Sequence, residues 1–235
     1  MPIDIGEGAP VVLLPGFALP PAMYRDTAAL LARRCRVVVP ELYRVHAPWR
    51  QDDIVDRLTG ALAERGLDHV TLIGHSFAGG IELSYAARHP ERVVELVFAD
   101  TLAVSREWPL AEEAMRHPMR LLWLATPRVA AAFGRSVLTH PRQIAEAAWW
   151  GFTSGRTSET ERVAGDGLRA HVLWANRDSL LSRRDGMSFA RELHASFTVV
   201  RADDGKPVDH DWMYRHPQLF VEHLDQLDLE ALRAS

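Results

Sequence analysis

Six short runs of mostly branched apolar residues recur along the chain. They occupy residues 11–14, 37–39, 70–73, 93–99, 172–175 and 197–200. The first four end at Pro15, Pro40, Gly74 and Asp100. Short β-branched runs with such boundaries are typical of strands that are buried on both faces of a sheet.

Helical patterns separate these runs. They cover residues 21–33, 52–65, 79–88, 188–194 and 216–227. Within 52–65 the apolar residues at 54, 55, 58, 61 and 62 share one helical face. Alternation of strands and helices predicts an α/β fold, with a mostly parallel sheet and helices on both of its faces.

Residues 105–165 interrupt the alternation. The segment contains no convincing strand, and prolines at 109, 118, 127 and 141 and a polar stretch at 153–161 divide it into several short helical patterns. We therefore expect a core made of residues 1–104 and 166–235, with 105–165 inserted as a helical lid over the sheet edge. Four tryptophans, at 108, 123, 149 and 150, fall in this segment. Most are expected to pack its helices onto the sheet, while one or two face a ligand.

Composition limits the class of protein. With 235 residues, of which 47% are hydrophobic and 25% charged, the chain can bury one sizeable core. The net charge is −4 and the arginines are scattered, a pattern that excludes the basic patch of a nucleic-acid binder. Cys35 is the single cysteine, so no internal disulfide forms. The N-terminus is not typical of a signal peptide and no apolar run reaches membrane-spanning length, which favours a cytoplasmic location.

The stretch GHSFAGG at residues 74–80 carries the candidate chemistry. It follows the predicted strand HVTLIG and opens the predicted helix GGIELSYAARH. A serine at such a strand-to-helix turn is held in a strained backbone with its hydroxyl exposed, and only small residues fit two positions to either side. Gly74 and Ala78 meet that requirement. We interpret Ser76 as a nucleophile, placed where the helix dipole favours developing negative charge.

With this motif in place, the chain resembles the α/β-hydrolase fold superfamily, in particular its small, lid-bearing, esterase-like serine hydrolases. The resemblance runs from GEGAPVVLLPGF to HDWMYRHPQLF and preserves the order of motifs: oxyanion loop, nucleophile elbow, acid, histidine. Relatives often begin with two further strands, whereas here only residues 3–5 precede Gly6. We therefore expect about seven strands rather than eight.

The resemblance implies a catalytic base after the last strand. His210 fits, because it follows the run 197–200 and the polar loop ADDGKPVD, and Pro217 comes soon after it. His216 is the rival, but it directly precedes Pro217, in a His-Pro pattern that recurs along the chain at helix boundaries. His75, inside the elbow, is expected to pack beside the nucleophile rather than to act on it.

The third member of a triad orients the histidine. Asp178 ends the stretch VLWANRD and matches the usual position of the family's acid. Asp100 is the alternative, since a minority of relatives take their acid from the end of the preceding strand. Asp209 is expected to be a solvated loop residue.

A tetrahedral intermediate also needs donors for its oxyanion. The resemblance assigns these to the backbone N–H groups of Phe77 and of Phe17, the latter in the loop LLPGFALP. Relatives commonly have histidine where this chain has Pro15, so the shape of that loop is left open. Read by itself, LPGF is a simple turn.

The predicted activity is cofactor-independent hydrolysis of a small ester, or of a related substrate with an apolar or aromatic acyl group. Carbon–carbon bond hydrolysis and cofactor-free perhydrolysis are alternatives on the same triad. Serine at position 76 argues against epoxide and haloalkane hydrolases, which place aspartate there. A non-hydrolytic ligand receptor, or a cyclase or lyase, is the alternative from another class. The sequence shows no metal-binding motif and no dinucleotide fingerprint, and it leaves the oligomeric state open.

Overall fold

The chain is described here by a computed structural model of residues 1–43, 51–102, 127–153 and 155–233. Its centre is a seven-stranded sheet, and all six apolar runs form strands of it, with one short edge strand before them. The expected number of strands is therefore confirmed. The strands are β1 (Ile3–Ile5), β2 (Pro10–Leu14), β3 (Arg36–Val39), β4 (Val70–His75), β5 (Val93–Ala99), β6 (Ala170–Ala175) and β7 (Ser196–Val200).

The strands lie in the order β1-β3-β2-β4-β5-β6-β7. Only β1 is antiparallel, pairing with β3, and every other neighbouring pair is parallel. The carboxyl ends of the parallel strands therefore share one edge of the sheet, and loops from β2, β4, β5, β6 and β7 meet there. In open α/β sheets this edge is where ligands bind.

Helices follow the strands much as the sequence predicts. They are α1 (Arg25–Leu31), α2 (Gln51–Ala63), α3 (Ala78–Arg88), α4 (Pro127–Thr139), α5 (Pro141–Thr153), α6 (Thr157–Gly165), α7 (Arg183–Glu192), α8 (Trp212–Arg215), α9 (Pro217–Gln226) and α10 (Glu230–Arg233). A 3₁₀ turn at Pro21–Tyr24 precedes α1.

The helix predicted at 216–227 is confirmed as α9, which Pro217 starts with its ring at the first helical position. One helix prediction was wrong in its boundaries. The helix predicted at 188–194 begins earlier, at Arg183, because Ser182 already has the extended backbone of a helix cap.

The two faces of the sheet carry separate cores. On one face α2, α3 and α7 pack through residues such as Leu58, Ile81 and Phe189. On the other face α1 and α9 pack through Leu31 and Phe220. Helices thus cover both faces, as the alternating pattern predicts.

The described part of residues 105–165 consists mainly of the three helices α4, α5 and α6. Pro127 and Pro141 each begin a helix, and α6 begins within the polar stretch 153–161. Trp108, Trp123 and two of the prolines lie outside the described residues. The assignment of 105–165 as a lid stays a prediction. In the described part of the chain, no helix has both the length and the apolar character needed to cross a bilayer.

A buried carboxyl group fixes α3 to the strands behind the elbow. Glu82 is fully buried, and its Oε1 accepts a hydrogen bond from the N–H of Val97 at 3.1 Å. Its other oxygen fills the space beside Gly74, where an added Cβ would lie 2.1 Å from it. Burial raises the pKa of Glu82 well above its usual value of 4.5, so the folded protein keeps this carboxyl protonated.

This proton makes stability depend on pH. Above pH 4.5 the unfolded chain releases the Glu82 proton while the folded chain retains it, so stability falls as pH rises towards the folded-state pKa. The free energy of unfolding then falls by up to about 1.4 kcal/mol for each unit of rise in pH. Glu82→Gln removes this dependence, so the stability of the variant relative to the parent, measured by urea unfolding, should increase as the pH rises above about 5. Glu64→Gln, at an exposed carboxyl, is the control; a flat difference for Glu82→Gln would contradict a protonated Glu82.

Candidate active site

The turn between β4 and α3 places Ser76 at the sheet edge. Ser76 has φ 53°, in the left-handed region that is costly for residues other than glycine, by about 1–3 kcal/mol. Its N–H donates to the carbonyl of Ala99 at 2.9 Å, while its own carbonyl accepts from the N–H groups of Gly79 and Leu102 at 3.1 and 3.0 Å. The surrounding backbone therefore holds the strained turn from both sides.

Close packing explains the small residues of the motif. A Cβ on Gly74 would lie 2.9 Å from the Cα of Gly79, which confirms that strand and helix backbones nearly touch. A Cβ on Gly79 would lie 1.7 Å from Oγ1 of Thr101. The turn that carries Ser76 is therefore too narrow for side chains at these two glycines.

The structure joins the three residues that the sequence placed in a triad. Nε2 of His210 lies 2.9 Å from Oγ of Ser76, and Nδ1 of His210 lies 2.9 Å from Oδ2 of Asp178. The side chains of His210 and Asp178 are each only 1% exposed, whereas Ser76 is 8% exposed. The hydroxyl therefore retains some access from outside, while the pair behind it is shielded from water.

Hydrogen bonds help to keep the carboxylate of Asp178 ionised. Its Oδ1 accepts from the N–H groups of Leu180 and Leu181 at 2.7 and 2.8 Å. Burial alone would raise the pKa of Asp178, but His210 and these two amides together lower it below the usual value. The ionised carboxylate accepts a hydrogen bond from Nδ1–H of His210, so the unprotonated Nε2 faces Ser76.

Asp100, the alternative acid, lies close by but behind Asp178. It is fully buried, and its carboxyl accepts from the N–H of Ala175 at 2.8 Å and from the indole N–H of Trp212 at 2.5 Å. Burial raises the pKa of Asp100 well above the usual value, and the neighbouring charge of Asp178 raises it further. The geometry thus gives the direct contact with the imidazole to Asp178.

The loops that carry the acid and the histidine are bonded to each other. Oδ1 of Asp209 accepts from the N–H groups of Ser179 and His210 at 2.8 and 2.7 Å. Oδ1 of Asn176 accepts from the N–H of Val208 at 2.9 Å. Asp209 lies in a loop, as expected, but it is only half-exposed, and its carboxylate satisfies two backbone donors between the loops.

His216, the rival base, lies away from this cluster. It is exposed and occupies the boundary between α8 and α9. Two other histidines that precede a proline lie at similar boundaries, His89 at the end of α3 and His140 between α4 and α5.

The loop after β2 is held by two tyrosines. The hydroxyl of Tyr43 donates to the carbonyl of Pro15 at 3.0 Å, and the N–H of Gly16 donates to the hydroxyl of Tyr24 at 2.9 Å. The N–H of Gly16 is thus already hydrogen-bonded to Tyr24. The next N–H along the loop belongs to Phe17. No described residue accepts a hydrogen bond from it. The hydrogen bonds of the two tyrosines fix the shape of this loop, which could not be predicted from the sequence because of Pro15.

Aromatic rings surround the turn. Phe17 lies 5.1 Å from Phe77 and 5.9 Å from Phe133 of α4, and Phe77 lies 5.3 Å from Trp150 of α5, measured between ring centroids. Trp150 is 7% exposed, whereas Trp149 is 68% exposed and faces solvent. Of the two described tryptophans in residues 105–165, one therefore packs on a residue of the elbow, and the wall beside Ser76 is apolar.

A polar network that the sequence did not reveal passes beneath the elbow. The hydroxyl of Tyr24 lies 2.7 Å from Nδ1 of His75, and Nε2 of His75 lies 2.9 Å from the backbone carbonyl of His210. One feature of the sequence indicated this network: His75, directly before the serine, is a polar residue at a buried position. Only the fold brings Tyr24 and the carbonyl of His210 to it.

Among the described residues, a single cluster of three acidic or histidine groups has its candidate ligand atoms within 4.8 Å of one another. It consists of Asp100, Asp178 and His210. Their polar atoms are already engaged with each other, with backbone amides and with Ser76. This arrangement suits proton transfer to and from a nucleophilic hydroxyl.

Known proteins with similar sequences include hydrolases from pseudomonads. The chain is 33% identical over 119 residues to a 2-hydroxymuconate semialdehyde hydrolase from Pseudomonas sp. strain CF600, an alignment that covers 46% of this chain and 41% of that protein. It is 35% identical over 114 residues to a 2-hydroxy-6-oxo-2,4-heptadienoate hydrolase from Pseudomonas putida, covering 44% of this chain and 41% of that one. The matches thus span less than half the length of either relative.

The fold has solved counterparts over nearly its whole length. A thermophilic esterase from Thermogutta terrifontis superimposes with a TM-score of 0.76 at 19% identity, covering 99% of this chain and 93% of that chain. In sequence, residues 9–144 match the profile of the alpha/beta hydrolase fold, which is more than half of the chain. Together with the sheet order and the serine turn, this match shows that the chain belongs to the α/β-hydrolase fold family.

Proposed function

We propose that the chain is a serine hydrolase that cleaves a small ester or related acyl substrate through an acyl-enzyme intermediate. One observation carries the proposal: an unbroken hydrogen-bonded path leads from Oγ of Ser76 through both nitrogens of His210 to Asp178. Serine alone is a weak nucleophile at neutral pH, and this path supplies the base and the charge that activate it.

Each group then has a defined task. Oγ of Ser76 attacks the acyl carbonyl carbon, its proton moves to Nε2 of His210, and Asp178 stabilises the imidazolium through Nδ1–H. The carbonyl oxygen becomes an oxyanion, which the N–H groups of Phe17 and Phe77 would bind. The carbon–oxygen bond to the leaving group breaks as that group takes the proton from His210. Water, activated by the same histidine, then releases the acid and restores Ser76.

We further propose that residues 105–165 act as a lid that shapes an apolar acyl pocket. The hydroxyl of Ser136 in α4 donates to the carbonyl of Ala18 at 2.8 Å, which ties this segment to the loop after β2. Phe133 and Trp150 extend the aromatic wall of Phe17 and Phe77. Such a wall favours an apolar or aromatic acyl group over a charged one.

Carbon–carbon bond hydrolysis is the second candidate. It is supported by the two relatives from pseudomonads, whose names describe hydrolases of a semialdehyde and of an oxo-dienoate. Parallel assays with short nitrophenyl esters and with a vinylogous 1,5-diketone acid separate the candidates. Higher kcat/KM for the diketone acid would favour the second.

Replacement of the nucleophile gives the first test. Ser76→Ala should lower kcat on a nitrophenyl ester by on the order of 10⁶-fold, because no other group can form the acyl-enzyme. The same variant should no longer react with a fluorophosphonate probe. His216→Ala, at an exposed histidine outside the cluster, should keep the parent's activity and labelling. An active and labelled Ser76→Ala variant would overturn the proposed nucleophile.

The assignment of the acid is tested separately. Asp178→Asn presents an amide to Nδ1 and favours the wrong tautomer of His210, so kcat should fall by about 10⁴-fold. Asp100→Asn should lose far less activity per folded molecule, because Asp100 bonds to Ala175 and Trp212 rather than to the imidazole. Steady-state kinetics with circular dichroism as the check on folding decide the matter. Equal losses in the two variants would contradict the role given to Asp178.

A further inference from the structure

Four groups form a continuous buried chain beneath the nucleophile, which we call the Tyr24–His75 relay. It runs from the N–H of Gly16 to the hydroxyl of Tyr24 (2.9 Å), on to Nδ1 of His75 (2.7 Å), and from Nε2 of His75 to the carbonyl of His210 (2.9 Å). The side chains of Tyr24 and His75 are fully buried. No bulk water therefore competes for these hydrogen bonds.

The direction of every hydrogen bond in the relay follows from its partners. The carbonyl of His210 can only accept, so Nε2 of His75 carries the proton. Burial lowers the pKa of His75 to about 3, so the ring is neutral and Nδ1 is an acceptor. The hydroxyl of Tyr24 must then donate to Nδ1, and its oxygen accepts the N–H of Gly16. The four groups thus have one consistent arrangement of protons, in which each bond polarises the next.

The two ends of the relay lie at parts of the site that are far apart in sequence. Gly16 immediately precedes Phe17, the proposed oxyanion donor, and His210 is the proposed base. His75, at the middle, immediately precedes Ser76. The Tyr24–His75 and His75–His210 contacts bridge 51 and 135 positions of the chain. The relay therefore connects the three loops whose relative placement sets the geometry of attack.

We propose that Tyr24 and His75 are positioning residues of the hydrolase, which hold the loop of Phe17 and the backbone of His210 in register with Ser76. The hydrogen bonds of both side chains go to each other and to backbone groups, and the ring of His75 packs beside that of His210, with their centroids 5.0 Å apart. The inference rests on the proposed function, since it concerns the same oxyanion and base. Packing alone would not require hydrogen-bonding side chains at these two positions, because an apolar pair would fill the same space without joining the loops.

A neighbouring tyrosine supplies a matched control. The ring of Tyr214 lies 5.4 Å from that of Tyr24 and 6.0 Å from that of His75, so it packs on the same two side chains. Its hydroxyl is buried and bonds to no other described group. Tyr214→Phe therefore removes a hydroxyl from the same cluster without cutting the relay, whereas Tyr24→Phe cuts it.

Tyr24→Phe should lower kcat on a nitrophenyl ester by about 10- to 100-fold with little change in KM, because displacement of catalytic groups by about 1 Å costs up to 10²-fold. Tyr214→Phe should keep the parent's kcat. Thermal unfolding of both variants shows whether the fold is retained. A kcat for Tyr24→Phe equal to that of Tyr214→Phe would overturn the proposal.

A double-mutant cycle gives a second test that does not depend on the size of either loss. The amide nitrogen of glutamine can take the place of Nε2 of His75 and still donate to His210, but His75→Gln provides no acceptor at the position of Nδ1. Tyr24→Phe and His75→Gln therefore break the same bond. The double variant should lose no more kcat than the worse single variant, whereas losses that multiply would contradict a relay.

The two proposals fail in distinguishable ways. An unlabelled and inactive parent protein would overturn the proposed function, and the catalytic role of the relay with it. An active, labelled parent in which Tyr24→Phe matches Tyr214→Phe, or in which the cycle is additive, would overturn the relay alone.

Discussion

The tight turn at Ser76 is the constraint on which the rest of the site depends. A left-handed serine between β4 and α3 is tolerated because its backbone hydrogen bonds with Ala99, Gly79 and Leu102 hold it in place. The close packing of Gly74 against Gly79 leaves no space for the turn to relax. Strain stored in this way directs the hydroxyl towards the loops that follow the other strands, where His210 lies.

The parallel sheet brings those loops to the same edge. Asp178 follows β6 and His210 follows β7, and their loops are bonded through Asp209 and Asn176. The loop after β2 reaches the same place and is anchored by Tyr24 and Tyr43. Polar groups at this edge are buried and almost fully hydrogen-bonded, and a network of that kind fixes one arrangement of side chains. A preorganised site needs this, since its donors must be in position before charge develops.

Much of this architecture could be predicted from sequence, because strands and the serine turn are local patterns. The apolar runs at 70–73 and 93–99 have the length and boundaries of buried strands, and GHSFAGG between strand and helix has a specific backbone meaning. The distinction between His210 and His216 also followed from a local sign, the proline after His216. The structure brings His210 to Ser76 and leaves His216 exposed.

Other features could not be read from sequence because they depend on contacts between distant segments. Nothing near Tyr24 indicates that its hydroxyl meets His75, and Asp209 resembles its exposed neighbours Asp203 and Asp204 until the acid loop packs against it. The protonated Glu82 likewise depends on a cavity formed by β4, β5 and α3. Periodicity reports the burial of apolar side chains, but it does not report the partners of polar ones.

The location of a trapped acyl group tests most directly whether Ser76 is the nucleophile. The protein is mixed with a slowly deacylating nitrophenyl ester, quenched in acid within the first turnover, digested with trypsin and analysed by mass spectrometry. If Ser76 is the nucleophile, one acyl adduct forms, on Ser76 within the peptide Gly66–Arg88. Turnover without any adduct, or an adduct on a different peptide, would contradict that assignment.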